Sequence, residues 1–154
     1  MSAATLEAER TLPYAARDLC KLVGDVRAYP SFIPWLKSLR IIAEAPRGEG
    51  WEGVAEAVVG WRMITEKFST RVVCAPEAGE VTVSLVRGPF RALDNRWTFQ
   101  NVDEGAHVRF WISYEFRNPL LQQLLNQHKR EAQARIMGAF EAEARRRLVP
   151  SDAP

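Results

Sequence analysis

The sequence predicts one α+β domain, a curved antiparallel sheet of about six or seven strands packed on a long C-terminal helix. Three observations carry this. Between Leu36 and Phe116 the apolar residues recur with a period of two, in short segments separated by turn residues. No helix-length pattern interrupts these segments, so consecutive strands are joined by hairpins and form an antiparallel meander. After Pro119 the period becomes that of an amphipathic helix, which supplies the cover that a half-buried meander needs. A chain of 154 residues, 47% hydrophobic and 26% charged, has the size and composition for one hydrophobic core.

The elements follow in order. Residues 4–11 make a short edge-like strand, and Pro13 opens a helix in which Ala15, Leu19, Leu22 and Val23 share one face. Gly24 ends that helix, and Asp25 is placed to cap a second short turn. Pro30 and Pro34 hold the residues before them out of the α region, so residues 29–35 form a stiff aromatic loop or a broken helix. Strands are expected at 39–45, 51–61, 63–74, 80–87, 93–100 and 107–116. Turn chemistry separates them at residues 46–50, 76–79, 88–89 and 103–105. Beyond Asn118 and Pro119, the residues Leu121, Leu125, His128, Ala132, Ile136, Ala139 and Phe140 line one side of a helix of about 30 residues, with Leu120 and Leu124 widening the stripe. Gly138 inside that helix costs about 1 kcal/mol relative to alanine, which suggests close packing against the sheet. Residues 1–150 are read as the domain and 151–154 as a disordered tail.

Alternation gives the faces. In the last strand Val108, Phe110, Ile112, Tyr114 and Phe116 should point inward, and in its predecessor Leu93, Asn95, Trp97 and Phe99. A bent sheet wrapped round one helix has more lining than the helix can fill, so a groove is expected. Phe68, Trp97, Phe110 and Tyr114 serve either as core or as groove lining, and the loop with Tyr29, Phe32 and Trp35 serves as packing, groove lining or membrane contact. An inward amide needs a partner, which makes Asn95 a candidate for a ligand carbonyl or a cavity water. His128, on the apolar stripe, is either a satisfied core or rim histidine or a donor to a ligand oxygen.

Several function classes are set aside. The acids Glu66, Asp94 and Glu115 are scattered, Asp94 and Glu115 fall on outward faces, and no catalytic residue is assigned. An inward, burial-shifted Glu56 or Glu66 would reopen that question. Cys20 and Cys74 are far apart in sequence without metal-ligand spacing, and they read as buried free thiols in a reducing compartment. Neither a metal nor any other cofactor is required. Residues 48–53 spell Gly-x-Gly-x-x-Gly, but an alternating strand follows where a phosphate-binding helix would have to start. The net charge of +2 does not indicate DNA binding. Residues 119–148 do hold six Lys/Arg against three Glu, ending in Arg145, Arg146 and Arg147, which suit either the negative end of the helix dipole or an anionic surface. No leader-like N-terminus and no long uncharged apolar run is seen, so the expected location is cytoplasmic.

Four blocks together resemble the coenzyme Q-binding protein family: residues 25–35 with Tyr29, Pro30, Phe32, Pro34 and Trp35; residues 68–71 with Phe68 and Arg71; Gly88, Pro89 and Phe90; and residues 116–121 with Asn118, Pro119, Leu120 and Leu121. That family lies in the polyketide cyclase-like branch of the START-domain superfamily, and the resemblance runs from about Thr5 to Leu148. It implies the helix-grip fold and a hydrophobic ligand, ubiquinone or a related isoprenoid lipid, bound between sheet and C-terminal helix to assist respiration or quinone biosynthesis. The lining would draw on Tyr29, Phe32, Trp35, Phe68, Asn95, Trp97, Phe110, Tyr114, Leu121, Leu125 and His128. Bacterial members include a ribosome-association toxin that acts on the large ribosomal subunit, and the wider branch includes polyketide cyclase/dehydrase-like enzymes. Arg145, Arg146 and Arg147 would then touch an anionic membrane, at the inner face of the bacterial inner membrane, or ribosomal RNA. An acidic residue often precedes Gly-Pro-Phe in the family, whereas Arg87 stands there in this chain.

Overall fold

The computed structural model describes residues 3–61 and 63–151, with Trp61 as backbone alone. The chain runs β1 (Ala4–Leu12), α1 (Ala16–Gly24), a 3-10 turn (Val26–Ser31), β2 (Leu36–Arg47), β3 (Gly50–Trp61), β4 (Ile64–Ala75), β5 (Glu80–Arg87), β6 (Phe90–Val102), β7 (Gly105–Phe116), α2 (Pro119–Gln127) and α3 (Lys129–Arg147). The seven strands form one antiparallel sheet in the order β1-β7-β6-β5-β4-β3-β2, a meander with the first strand added beside the last. Tight hairpins hold the meander together. Gly48 and Gly79 carry φ of 54° and 65° in two of them, a left-handed backbone that a side chain would strain.

Register places one continuous face inward. Leu6 pairs with Ile112, Ile112 with Asn95, Asn95 with Val83, Val83 with Val72, and Val72 with Gly53. The inward parity read for β6 and β7 is therefore the observed one. Consecutive hairpins also alternate between two ends of the sheet. The β3–β4 and β5–β6 turns, the β7–α2 connection and the start of β2 share one end. The β2–β3, β4–β5 and β6–β7 turns share the other.

The helices depart from expectation in four ways. The long helix is broken at His128, whose φ of −116° and ψ of 23° end α2 before Ala132 N, donating to His128 O, restarts the ladder in α3. Gly138 is exposed, and a Cβ built on it meets nothing within 4 Å, so its glycine answers to no packing demand. Leu120 does not widen the buried stripe; it is 75% exposed. Nor does Asp25 cap the short turn by a side-chain bond, because its carboxylate reaches Arg147 Nη2 at 3.0 Å instead. The close helix approach lies at α1, where a Cβ on Gly24 would sit 2.2 Å from Cys74 Sγ. Ser151 N donates to Pro13 O at 2.8 Å, so the expected tail is pinned at its first residue, and residues 152–154 lie outside the described ones.

Candidate ligand cup

The region between sheet and helices divides into a filled half and a half whose apolar side chains are only partly covered, termed the open half. In the filled half Trp97 meets Phe110 and Phe140 edge-on, with ring centroids 4.7 and 4.9 Å apart, and Tyr29 and Phe32 close on Phe140 at 5.2 and 5.4 Å. Leu19, Leu22, Val23 and Met137 complete it, leaving a gap of about 10 Å³, too small for a ligand. Tyr29 donates its hydroxyl to Val23 O, and burial holds that phenol far above its ordinary pKa. Trp97 and Phe110 are thus placed as packing in this structure, with Tyr29 and Phe32 half-buried beside them.

The open half lies toward the end that carries the β3–β4 and β5–β6 turns. Phe68, Phe90 and Phe116 form a ladder, with centroids 5.4 and 4.6 Å apart, and Tyr114 stands 6.1 Å from Phe116. Around them Trp35, Val59, Leu85, Ile112 and Leu125 are only half-buried, although each packs on the core. Inward-facing apolar side chains left partly uncovered make this half the candidate lining of a hydrophobic site.

Two polar groups give this half its chemistry. The Tyr114 side chain is 3% exposed, and its hydroxyl is buried without a hydrogen-bond partner among the described residues. Burial also pushes this phenol above its ordinary pKa, which keeps it a neutral donor. An unmet hydroxyl in an apolar wall costs stability that a ligand acceptor would return. Asn95 has solved the same problem internally, since its Nδ2 donates to Trp111 O at 2.9 Å.

The remaining expected site residues are scattered. Leu121 is half-buried on α2. His128 sits at the helix break, its Nδ1 3.6 Å from Glu131, on an open polar cleft of about 620 Å³ against β1 and away from the aromatic ladder. Arg146 pairs with Glu143 through Nε and Nη2 at 2.9 and 2.7 Å, and Arg147 reaches both Asp25 and Glu143, so two of the three terminal arginines are already engaged. Arg145 is exposed and has no ion pair among the described residues. Of the acids, Glu66 shares the inward parity and is half-buried opposite Val59, while Glu56 faces Arg40 and Lys67 on the outer face. Arg71 also turns outward, to Glu52 at 2.9 Å. No group of three or more His, Cys, Asp or Glu among the described residues is placed to hold a metal ion, and no helix there is long and apolar enough to cross a membrane.

Gln122 escaped the sequence reading. It is fully buried, its Oε1 accepting from Phe116 N at 2.8 Å and its Nε2 donating to Tyr114 O at 3.4 Å, so it fastens α2 to the strand end that carries Tyr114. Nothing in the sequence separates it from its neighbour Gln123, which is exposed. Asn118 was legible as part of a motif, and its role is local: Oδ1 accepts from Leu120 N at 2.9 Å, capping α2 with Pro119 in its first turn.

Residues 12–141 match the family model described as polyketide cyclase / dehydrase and lipid transport. The chain belongs to this family. Among its relatives, the ribosome association toxin RatA of Rickettsia prowazekii is 30% identical over 139 residues, spanning 88% of this chain and 92% of that one. The coenzyme Q-binding protein coq10 of Schizosaccharomyces pombe is 28% identical over 115 residues, covering 73% and 70% of the two chains. Among solved structures, the 18 kDa protein CC1736 of Caulobacter crescentus superposes with a TM-score of 0.76 at 36% identity, covering 95% of this chain and 97% of that one. The expected family and fold class are both the observed ones.

Proposed function

We propose that this protein binds a hydrophobic ligand of the ubiquinone class in the open half of the cup, as a carrier and without transforming it. The observation that carries this is the Tyr114 hydroxyl, buried without a partner among the described residues beside a ladder in which Phe68 and Phe116 are half-covered and Phe90 is buried. A quinone ring offers a flat apolar body to those rings and a carbonyl acceptor to the phenol. The isoprenoid tail would lie along Leu85, Ile112 and Leu125, whose exposed area its burial would remove from water. The coq10 relative, named for binding coenzyme Q, supports the same reading. For acid–base catalysis Glu66 would need a second converging acid or base.

Native isolation followed by lipid extraction and mass spectrometry tests the assignment, with direct titration of a short-chain ubiquinone as its quantitative arm. Tyr114→Phe is expected to weaken quinone binding by about threefold to tenfold, the worth of one hydrogen bond, while leaving unfolding stability equal or higher. A parent protein that neither retains nor binds quinone would overturn the proposal. A second reading, association with the ribosome, is favoured by the name of the Rickettsia relative. Co-sedimentation of the parent with isolated ribosomal subunits at physiological salt decides it.

A further inference from the structure

The end of the sheet where the cup is open carries both unpaired cations and exposed aliphatic side chains. Among the described residues, 34–37, 60–61, 63, 86–91 and 116–120 lie in its turns and connections; they include Lys37, Arg87, Arg91 and Arg117 and not one Asp or Glu. Lys37, Arg87 and Arg117 are exposed and have no ion pair among the described residues, and Arg91 has a long contact of 3.9 Å to Glu115. The turns at the opposite end hold Glu49, Glu77, Asp103 and Glu104 beside Arg47, and Glu49 is paired with Arg17 of α1.

Three of these four segments present large apolar side chains to water. Met63 at the β3–β4 turn is 99% exposed, Val86 before the β5–β6 turn 57%, and Leu120 at the start of α2 75%. They are held on one scaffold. Arg117 N donates to Pro89 O at 2.8 Å, joining the β7–α2 connection to the β5–β6 turn, and Gly88 packs so tightly on Phe68 that an added Cβ would lie 2.4 Å from the Phe68 Cβ.

We propose that this end docks on an anionic lipid surface, with Met63, Val86 and Leu120 entering the headgroup boundary and Lys37, Arg87, Arg91 and Arg117 held at the phosphates. Cations ringing exposed aliphatics match the two attractions that an anionic bilayer offers, apolar insertion and surface potential. An RNA surface would use the cations but would gain nothing from a leucine, a valine and a methionine at the turn tips. This deepens the carrier reading, because the docked face is the one through which the cup opens, and it reassigns membrane contact from Arg145, Arg146 and Arg147 to the far end of the domain.

The test is co-pelleting of the folded, full-length protein with phosphatidylcholine vesicles, with and without phosphatidylglycerol at about one third of the lipid. Binding is expected to rise with phosphatidylglycerol and fall with salt. Leu120→Glu and the double variant Arg87→Glu/Arg117→Glu should each lower it by at least about tenfold, while Val149→Glu, the same apolar-to-acidic change at an 82% exposed position near the chain's C-terminal end, should not. Thermal melts check that every variant folds. Absence of parent binding to anionic vesicles, or equal losses for Val149→Glu, overturns the proposal. So does loss of a ribosomal-subunit interaction on arginine reversal with vesicle binding untouched, which would make this an RNA-phosphate surface. Quinone retention, measured on the same samples, separates failure of docking from failure of the cup.

Discussion

A buried glutamine gives up its bonds to water, and Gln122 recovers two of them from one strand end, at Phe116 N and Tyr114 O. Truncation to alanine would leave the Phe116 amide without this acceptor, so Gln122→Ala should destabilise by about 1–3 kcal/mol, read as a fall in denaturant midpoint at unchanged slope. Tyr114 is the opposite case, a hydroxyl with nothing to lose, which is why its removal is expected to spare stability and touch only the ligand. Strand alternation was enough to put Tyr114 and Asn95 on the inner face. It could not say that Asn95 would find Trp111 O while Tyr114 would find nothing, because hydrogen bonding depends on side-chain reach across strands and not on parity.

Among the elements, the strands were the most legible. Their period of two survives burial on a single face, and each of the six expected segments lies within or across one observed strand. The C-terminal helix was less so. Its apolar stripe continues past the break at His128, since α2 and α3 both turn their apolar sides inward, and periodicity sees the stripe rather than the hinge. Gly138 shows the same limit from another side, as a helix-interior glycine that turned out to face water. Gly138→Ala should therefore stabilise the domain by about 0.5–1 kcal/mol, and a differential scan should show a higher melting temperature. A lower one would mean that α3 needs its backbone freedom there.

At the scale of the molecule, the last turn of α3 ties the C-terminal helix to the start of the chain's helical region. Glu143 is 3% exposed, and Arg146 first, then Arg147, hold its carboxyl below the ordinary carboxylate range against the opposing effect of burial; Arg147 also extends to Asp25. Because the folded-state pKa lies below the unfolded one, the stabilisation is present above the ordinary carboxylate pKa of about 4.3 and lost as pH falls through the folded value. Denaturation curves of the parent and Glu143→Gln should accordingly differ at neutral pH and converge in acid. A gap independent of pH would assign Glu143 a packing role alone.

The sheet never closes, and its last strand in spatial order has its own defence. β2 runs for 12 residues with one side of its backbone unpaired by any strand, the arrangement that invites another molecule to add a strand of its own. Its register is shifted between Leu36 and Ser38 and again between Ile41 and Ala43, Pro46 removes a donor near its end, and Lys37, Arg40, Glu44 and Arg47 stud its length. A strand so kinked and charged makes a poor template for fibre growth, so the domain can keep an open-edged sheet and an exposed apolar rim while its copies remain apart in a concentrated solution.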